Sequence, residues 1–372
     1  MVFDLGPNRA VRGLRDRPLR FHWRLTYSGE TSTTTWQSQS GIEDGQPYTD
    51  TQTHFCRCAE EAGIDSLLTD FGSGKPDPML VAATIGRTSD RIKFILAYRS
   101  GLFSPTMFVQ QLNTLSALIG GRLSLNIVAG YSPQEQRAYG DFLSHDERYE
   151  RTEEFLAICR ALWEHNEDVN FNGKYYQIEK GSVKARFVSD ERIFPEIFVG
   201  GGSPQAQRLA ASQGTCWMRL ADAPEKMKES VSAALSQGIE VGLRLQVISR
   251  QTRQEALRTA YTMSEGVEGA REYVKAAVSN MDSVSFRASY EMGETEWLTP
   301  CLWTGAARVY GPAAVALVGS AVEVASAFME YKRLGVSQFI LSGWPKLDEM
   351  VNFGRTVLPV VREMEREAAH RA

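Results

Sequence analysis

The residues whose types and spacing best suit chemistry stand in the run FVGGGSP, Phe198 to Pro204. An apolar segment there gives way to Gly200, Gly201 and Gly202, then to Ser203 and Pro204. Glycines let backbone come close to a ligand, the serine offers a hydroxyl, and Ser-Pro opens a helix whose first N–H groups and dipole favour an anion. The combination suits a phosphate. It is not a Walker loop, because no Gly-Lys-Ser/Thr follows. A second run, LSLNIVAGY, sets Asn126 inside an apolar strand and Ala129-Gly130 at its carboxyl end. A buried amide must find a partner, either core backbone or the polar edge of a cofactor. Beyond it, LSHDERYER starts a charged helix in which Tyr149 can turn inward while Glu147, Arg148 and Glu150 pair on the surface.

Other catalytic constellations are poorly supported. The five histidines (His22, His54, His145, His165, His370) form neither H-x-H nor H-E-x-x-H, which argues against metal hydrolysis and for no metal site. No G-x-S-x-G elbow occurs. Asp70 and Asp77 stand near a strand end without a readable partner. Cys56, Cys58, Cys159, Cys216 and Cys301 are odd in number and thinly spread, so reduced thiols are expected. Cys56 and Cys58, two apart in a helical pattern, point to different sides. Chemistry borrowed from a cofactor is the better expectation.

These residues need a frame. Eight short apolar runs alternate with helical patterns: Phe21 to Leu25, Ser66 to Asp70, Ile92 to Arg99, Leu123 to Ala129, Glu196 to Gly200, Thr215 to Leu220, Leu243 to Ser249 and Gln338 to Gly343. Such runs suit parallel strands covered on both faces, and eight of them point to an α/β fold of the (β/α)8 (TIM) barrel type. Between them, Ser104-Pro105 opens a helix, and Ser144 with Glu147 and Ser320 with Glu323 fit capping boxes. Gly63 and Gly335 supply left-handed stops. A minimal barrel needs about 250 residues. The surplus falls into insertions after strands 1, 4 and 7: Ser28 to Asp50, Asp168 to Pro195 with a hairpin at Asn172-Gly173, and Thr252 to Gly319. The first and third are candidate lids. Residues 1–20 read as an N-terminal extension, 21–365 as the barrel and 366–372 as a tail.

Composition narrows the partners. The 372 residues are 43% hydrophobic with a formal net charge of -4, which gives no drive toward nucleic acid or anionic membrane. The first twenty residues read as neither signal peptide nor membrane anchor, so a cytoplasmic location is expected.

Taken together and in order, the strings RSGLFSPT, GRLSLNIVAGY, LSHDERYERTEEFL, FVGGGS, GLRLQVISR and QFILSGWP resemble the alkanesulfonate monooxygenases and their sulfone-oxidising relatives, within the luciferase-like flavin monooxygenases. The resemblance runs from about Phe21 to Pro359. It implies a (β/α)8 barrel that takes FMN as FMNH2 from a separate flavin reductase, uses O2 as co-substrate, and oxygenates a small molecule through a C4a-(hydro)peroxyflavin. It also implies a homo-oligomer, dimer or tetramer. By the same resemblance Asn126, Ala129 and Gly130 lie near the flavin ring, and Tyr149, Gly202 and Ser203 hold its phosphate.

The substrate end departs from the sulfonate pattern. The family's histidine two residues beyond a strand arginine is here Gln246, beyond Arg244. Its final tyrosine is Trp344. In the lid segment Tyr310 stands closest to the family's arginine, with Arg308 two residues away, and DFGSGKPD lacks the usual cysteine. A trigonal anion wants several charge-assisted donors, so a simple alkanesulfonate is not the expected substrate. Trp23 and Trp344, facing the pocket, would suit a larger or flatter apolar substrate. Arg244 and Gln246 would orient its polar groups, Arg244 would stabilise developing negative charge, and His22 would be the one ring base on a strand. Two other readings stay open, a deazaflavin-dependent dehydrogenase of the same superfamily and a flavin-binding protein without turnover.

Overall fold

The computed structural model describes residues 17–26, 46–164, 167–190, 192–265 and 268–371. Eight parallel strands pair in the order β1 (Arg20–Arg24), β2 (Ser66–Thr69), β3 (Lys93–Tyr98), β4 (Leu123–Ile127), β7 (Glu196–Gly200), β8 (Cys216–Leu220), β9 (Glu240–Arg250) and β12 (Val336–Gly343). Strand β12 pairs with β1 and closes the barrel. Every one of the eight apolar runs overlaps a strand, and closure gives each of the eight barrel strands a partner on both sides.

Side chains alternate along each strand, and β1 shows what the alternation does. Phe21 and Trp23 point outward into the helix layer, where Phe21 meets Phe328 at 5.1 Å, Phe339 at 5.7 Å and Phe353 at 5.1 Å between ring centroids. Phe328 comes from a helix, Ala321–Leu334, that begins with a complete Ser320–Glu323 capping box and stops on left-handed Gly335. Arg20, His22 and Arg24 point inward.

The barrel interior is built in tiers. At the amino end Arg20 donates to both carboxylate oxygens of Glu196 (2.9 and 2.7 Å) and to Glu240 (3.0 Å). Gln338 donates to the same two carboxylates, and His22 Nε2 lies 2.9 Å from Gln338 Oε1. Above this floor sits an apolar layer that includes Leu68, Ile95, Phe198, Met218 and Ile340. Among the described residues the space left inside the ring opens at the carboxyl ends of the strands.

The insertions are structured where they are described. After β4 come the helices α4 (Pro133–Ala138) and α5 (His145–Glu164), then a hairpin of β5 (Val169–Asn172) and β6 (Gln177–Gly181). Its connection is four residues long, Gly173 to Tyr176, rather than a tight Asn-Gly turn. The insertion between β9 and β12 carries α8 (Arg253–Ser264), α9 (Glu268–Ser279), α10 (Val284–Met292), β10 (Leu302–Trp303), α11 (Ala307–Tyr310) and β11 (Ala316–Ser320). The lower half of β9 pairs with β8, while its upper half, Gln246 to Arg250, pairs with β11. Of the first candidate lid, residues 28–45 lie outside the described residues. The last helix, α14 (Leu358–Arg371), runs across the boundary drawn at 365. Among the described residues no helix is long and apolar enough to cross a membrane.

The floor network gives a pH-dependent prediction. Burial would raise the Glu196 carboxyl, but the hydrogen bond and charge of Arg20 outweigh it and hold the group below its usual range. Glu196 therefore stabilises the fold above the ordinary carboxylate range, and that contribution is lost as pH falls through its depressed value. Arg20→Met strands buried carboxylates and should cost about 3–5 kcal/mol at pH 7. Urea melts from pH 7 down to pH 4 should show the gap between the two proteins narrowing as the stranded groups protonate.

Candidate active site

A cavity of about 620 Å3 opens at the carboxyl ends of the strands, roofed by residues 273–286 and 309–314 of the large insertion. That is ample for a cofactor with a substrate beside it.

One corner is the glycine turn after β7. Gly201 has φ 137° and its carbonyl accepts from Trp217 Nε1 at 2.7 Å, so β8 pins the turn. Ser203 is the N-cap of α6 (Pro204–Gln213), its Oγ accepting from Ala206 N at 3.2 Å. Tyr149 reaches in from the first turns of α5, its hydroxyl set against the Gly201 turn, where a Cβ would stand 2.9 Å from it. Burial pushes the Tyr149 phenol up, which keeps it a donor at neutral pH. A Cβ on Gly202 would stand 2.6 Å from Ser285 Oγ, so that glycine is needed for the insertion to close over the turn. His145, with its ring 5.0 Å from that of Tyr149, also lines the corner. Its position one helical turn before Tyr149 was the available sequence signal.

Next to this corner Asn126 lines the cavity from β4, and its Oδ1 is buried with no partner. Among the described residues that oxygen is not taken up by core backbone. Ala129 and Gly130 border the same wall. Gly130 has φ 87°, and the Gln136 amide occupies the place its side chain would take.

The opposite walls are basic. Arg24 on β1 and Lys75 share Asp70, which sits at the end of β2, and these two cations hold the Asp70 carboxyl far below its usual range against the effect of burial. Arg99, just past β3, is 4% exposed and pairs with Glu135 through Nη2. Its plane lies over Phe71 at 5.1 Å and Tyr139 at 5.8 Å. Arg244 on β9 donates to Leu245 O at 2.6 Å and to Ser342 Oγ at 2.6 Å. Burial, with Arg24 nearby, lowers it to about 10, so it stays charged at neutral pH. Ser342 donates in turn to Gln246, whose Nε2 reaches Ala313 O at 3.4 Å. Trp344 and Tyr310 close this side with rings 5.4 Å apart, and Tyr310 donates to Met263 O at 2.5 Å.

The structure therefore brings together Asn126, Ala129, Gly130, Tyr149, Gly202, Ser203, Arg244, Gln246, Tyr310 and Trp344 on one cavity. Three expected residues do not turn their side chains into it. His22 belongs to the barrel floor, below the apolar layer, because β1 alternation sends it inward one tier too low. Trp23 borders the cavity, but it is fully buried and its ring packs against Phe353 on the helix side. Arg308 turns outward to pair with Glu294 at 2.9 Å and lies over Tyr290. Arg148 corrects a fourth expectation. Rather than pairing at the surface it is 2% exposed and clasps the insertion, donating to Ala129 O at 2.8 Å and to Asp282 at 2.5 Å. Arg24, Asp70, Lys75 and Arg99 were not anticipated as site residues.

The sequence profile described as luciferase-like monooxygenase matches residues 31–338. Among solved structures, an EDTA monooxygenase from Chelativorans sp. BNC1 superposes with TM-score 0.76 at 19% identity, covering 94% of each chain. A long-chain alkane monooxygenase gives TM-score 0.73 at 17% identity over 94% of this chain and 92% of that one. An F420-dependent secondary alcohol dehydrogenase gives 0.66 at 16% identity over 93% and 99%. At such identities the likeness carries the fold.

The Arg148 clasp is testable without any ligand. Arg148→Met leaves Asp282 and the Ala129 carbonyl without their charged donor and should loosen the insertion where it meets α5. Hydrogen exchange over residues 280–286 should rise at least 10-fold in the variant while β12 exchange stays unchanged. Unchanged exchange at 280–286 would remove the clasp from the account.

Proposed function

Because the chain belongs to the luciferase-like monooxygenases, a flavin-dependent class of enzyme, we propose that it takes reduced FMN and O2 and oxygenates a small organic substrate that is not a simple alkanesulfonate. The observation that carries this reading is the meeting, on one cavity, of the Gly202–Ser203–Tyr149 corner with the unpartnered amide oxygen of Asn126.

The residues present fit FMN. The hydroxyls of Ser203 and Tyr149, with the positive end of the α6 dipole, suit a phosphate, and the glycines leave room for it. Asn126 Oδ1 is an acceptor awaiting a donor, as the polar edge of a flavin ring provides. Ala129 and Gly130 present backbone beside it. When bound, the reduced flavin supplies two electrons to O2, so that one oxygen atom enters the substrate and the other leaves as water.

The protein's own part is binding, orientation and exclusion of water. The insertion roofs the mouth through Val284, Phe286 and the Tyr310–Trp344 pair. Arg244, charged and fixed by Ser342 and two strand carbonyls, is preorganised to hold an oxygen that gains negative charge. Gln246 is a neutral orienting group and moves no proton. A separate flavin reductase, a homo-oligomeric state and a cytoplasmic location complete the reading.

Hydride transfer from a deazaflavin is the rival, given the dehydrogenase among the structural relatives. Anaerobic fluorescence titration should give FMNH2 binding that Ser203→Ala and Tyr149→Phe each weaken about 10-fold, the worth of one hydrogen bond to a charged group. On mixing with O2, bound FMNH2 should reoxidise more slowly than free FMNH2. Reoxidation at the free rate, or a deazaflavin that displaces FMNH2 at equal concentration, sinks the proposal.

A further inference from the structure

The cavity wall carries more positive charge than a flavin corner explains. Six basic side chains line it (Arg24, Lys75, Arg99, Arg219, Arg244, Lys346) against the single carboxylate of Asp70, among the described residues, in a chain whose overall charge is -4. Their placement is lopsided. The proposed phosphate corner follows β7 and offers hydroxyls and N–H groups, whereas Arg24 rises from β1, which stands opposite β7 in the ring of eight. Lys346 follows β12, beside β1, while Arg99 follows β3 and Arg244 sits on β9, each two strands from β1 and two from β7, so that these two arginines come from opposite sides of the mouth.

Two of these cations are under-matched in a buried setting. Arg99 is 4% exposed, and only one of its nitrogens has a partner. Nε and Nη1 are buried, face no acceptor, and belong to a residue on the cavity wall. A buried guanidinium without acceptors for its N–H groups is costly, so the site is shaped for an anion that supplies them. Arg244 is hydrogen-bonded only to neutral oxygens and has no carboxylate in salt-bridge reach among the described residues. One planar guanidinium edge matches one carboxylate, and two such edges match two.

We propose that the substrate is a polycarboxylate, held by Arg99 and Arg244 as separate anchors that reach the barrel mouth from opposite sides. This replaces the expectation of a large apolar substrate, since Trp344 and Tyr310 cover only one edge of the basic wall. The proposal deepens the monooxygenase reading and rests on it only in calling the ligand a substrate.

Isothermal titration of the flavin-free protein tests it with tricarballylate and adipate as probes, their methyl esters as neutral controls and hexanoate as a monoanion. Tricarballylate and adipate should bind, more weakly as salt is raised, and the esters should not. Arg99→Gln should weaken tricarballylate at least 10-fold while FMN affinity stays within 2-fold. The double variant Arg99→Gln with Glu135→Gln removes the stranded carboxylate and should show the same loss, which guards against misfolding of the single variant. Hexanoate binding as tightly as tricarballylate overturns the proposal, as does an Arg99→Gln protein whose FMN affinity falls as far as its tricarballylate affinity. A protein that binds FMN but no polycarboxylate also overturns it and leaves the monooxygenase reading standing. Polycarboxylate binding through Arg99 without any FMN binding does the reverse.

Discussion

Arg20 joins three strands at one end of the barrel. Its guanidinium spans Glu196 at the start of β7 and Glu240 at the start of β9 from its own place at the start of β1, with Gln338 of β12 completing the set. Charges buried this deeply persist only when each is matched, so the four side chains fix one another and plug the amino end. With the floor sealed and an apolar layer laid on it, the remaining interior space opens at the carboxyl ends. The glycine turn, Asn126 and the basic wall are all found there, because it is the one rim where strand ends and loops converge on shared space.

Within that rim the charge is divided. The corner suited to a phosphate relies on hydroxyls, N–H groups and a helix dipole, all neutral donors that require close fit. The facing wall relies on full cations on strands and strand ends, several of them drawn out of water. Arg244 stays protonated at neutral pH, since burial and a nearby Arg24 lower it only to about 10 while the charge of Asp70 favours it. Two anionic moieties entering one cavity would thus be sorted by the kind of donor each meets, without a gate between them.

How much of this was legible depended on distance along the chain. The eight strands could be read because each is a local run of β-forming residues, and the glycine corner because its parts are consecutive. Asn126 stood out as a polar residue in an apolar strand. The clasp between Arg148 and Asp282 joins residues 134 apart, so its members look like ordinary surface charges. Arg99 was hidden for a related reason, since an arginine near a strand end shows neither its burial nor its empty N–H groups. Trp23 could have been placed correctly. In RFHWR the charged residues and the histidine occupy alternate positions, and that parity sends both aromatics out to the helices. His22 shows the limit of parity, which gives the direction of a side chain and not its tier.

Strand β9 is longer than its barrel neighbours, and its upper half carries β11 on the edge where its lower half carries β8. The roof over the mouth is therefore welded at its root to a wall strand, with α8 packed beside β11 and β10 extending the same sheet. A hinge at that root would have to break a parallel ladder. Beyond that root α9 and α10 lie across the opening, and the roof is caught again where Asp282 meets Arg148. The roof is thus fixed at two points of unlike kind, one a ladder of backbone bonds and the other a single ion pair.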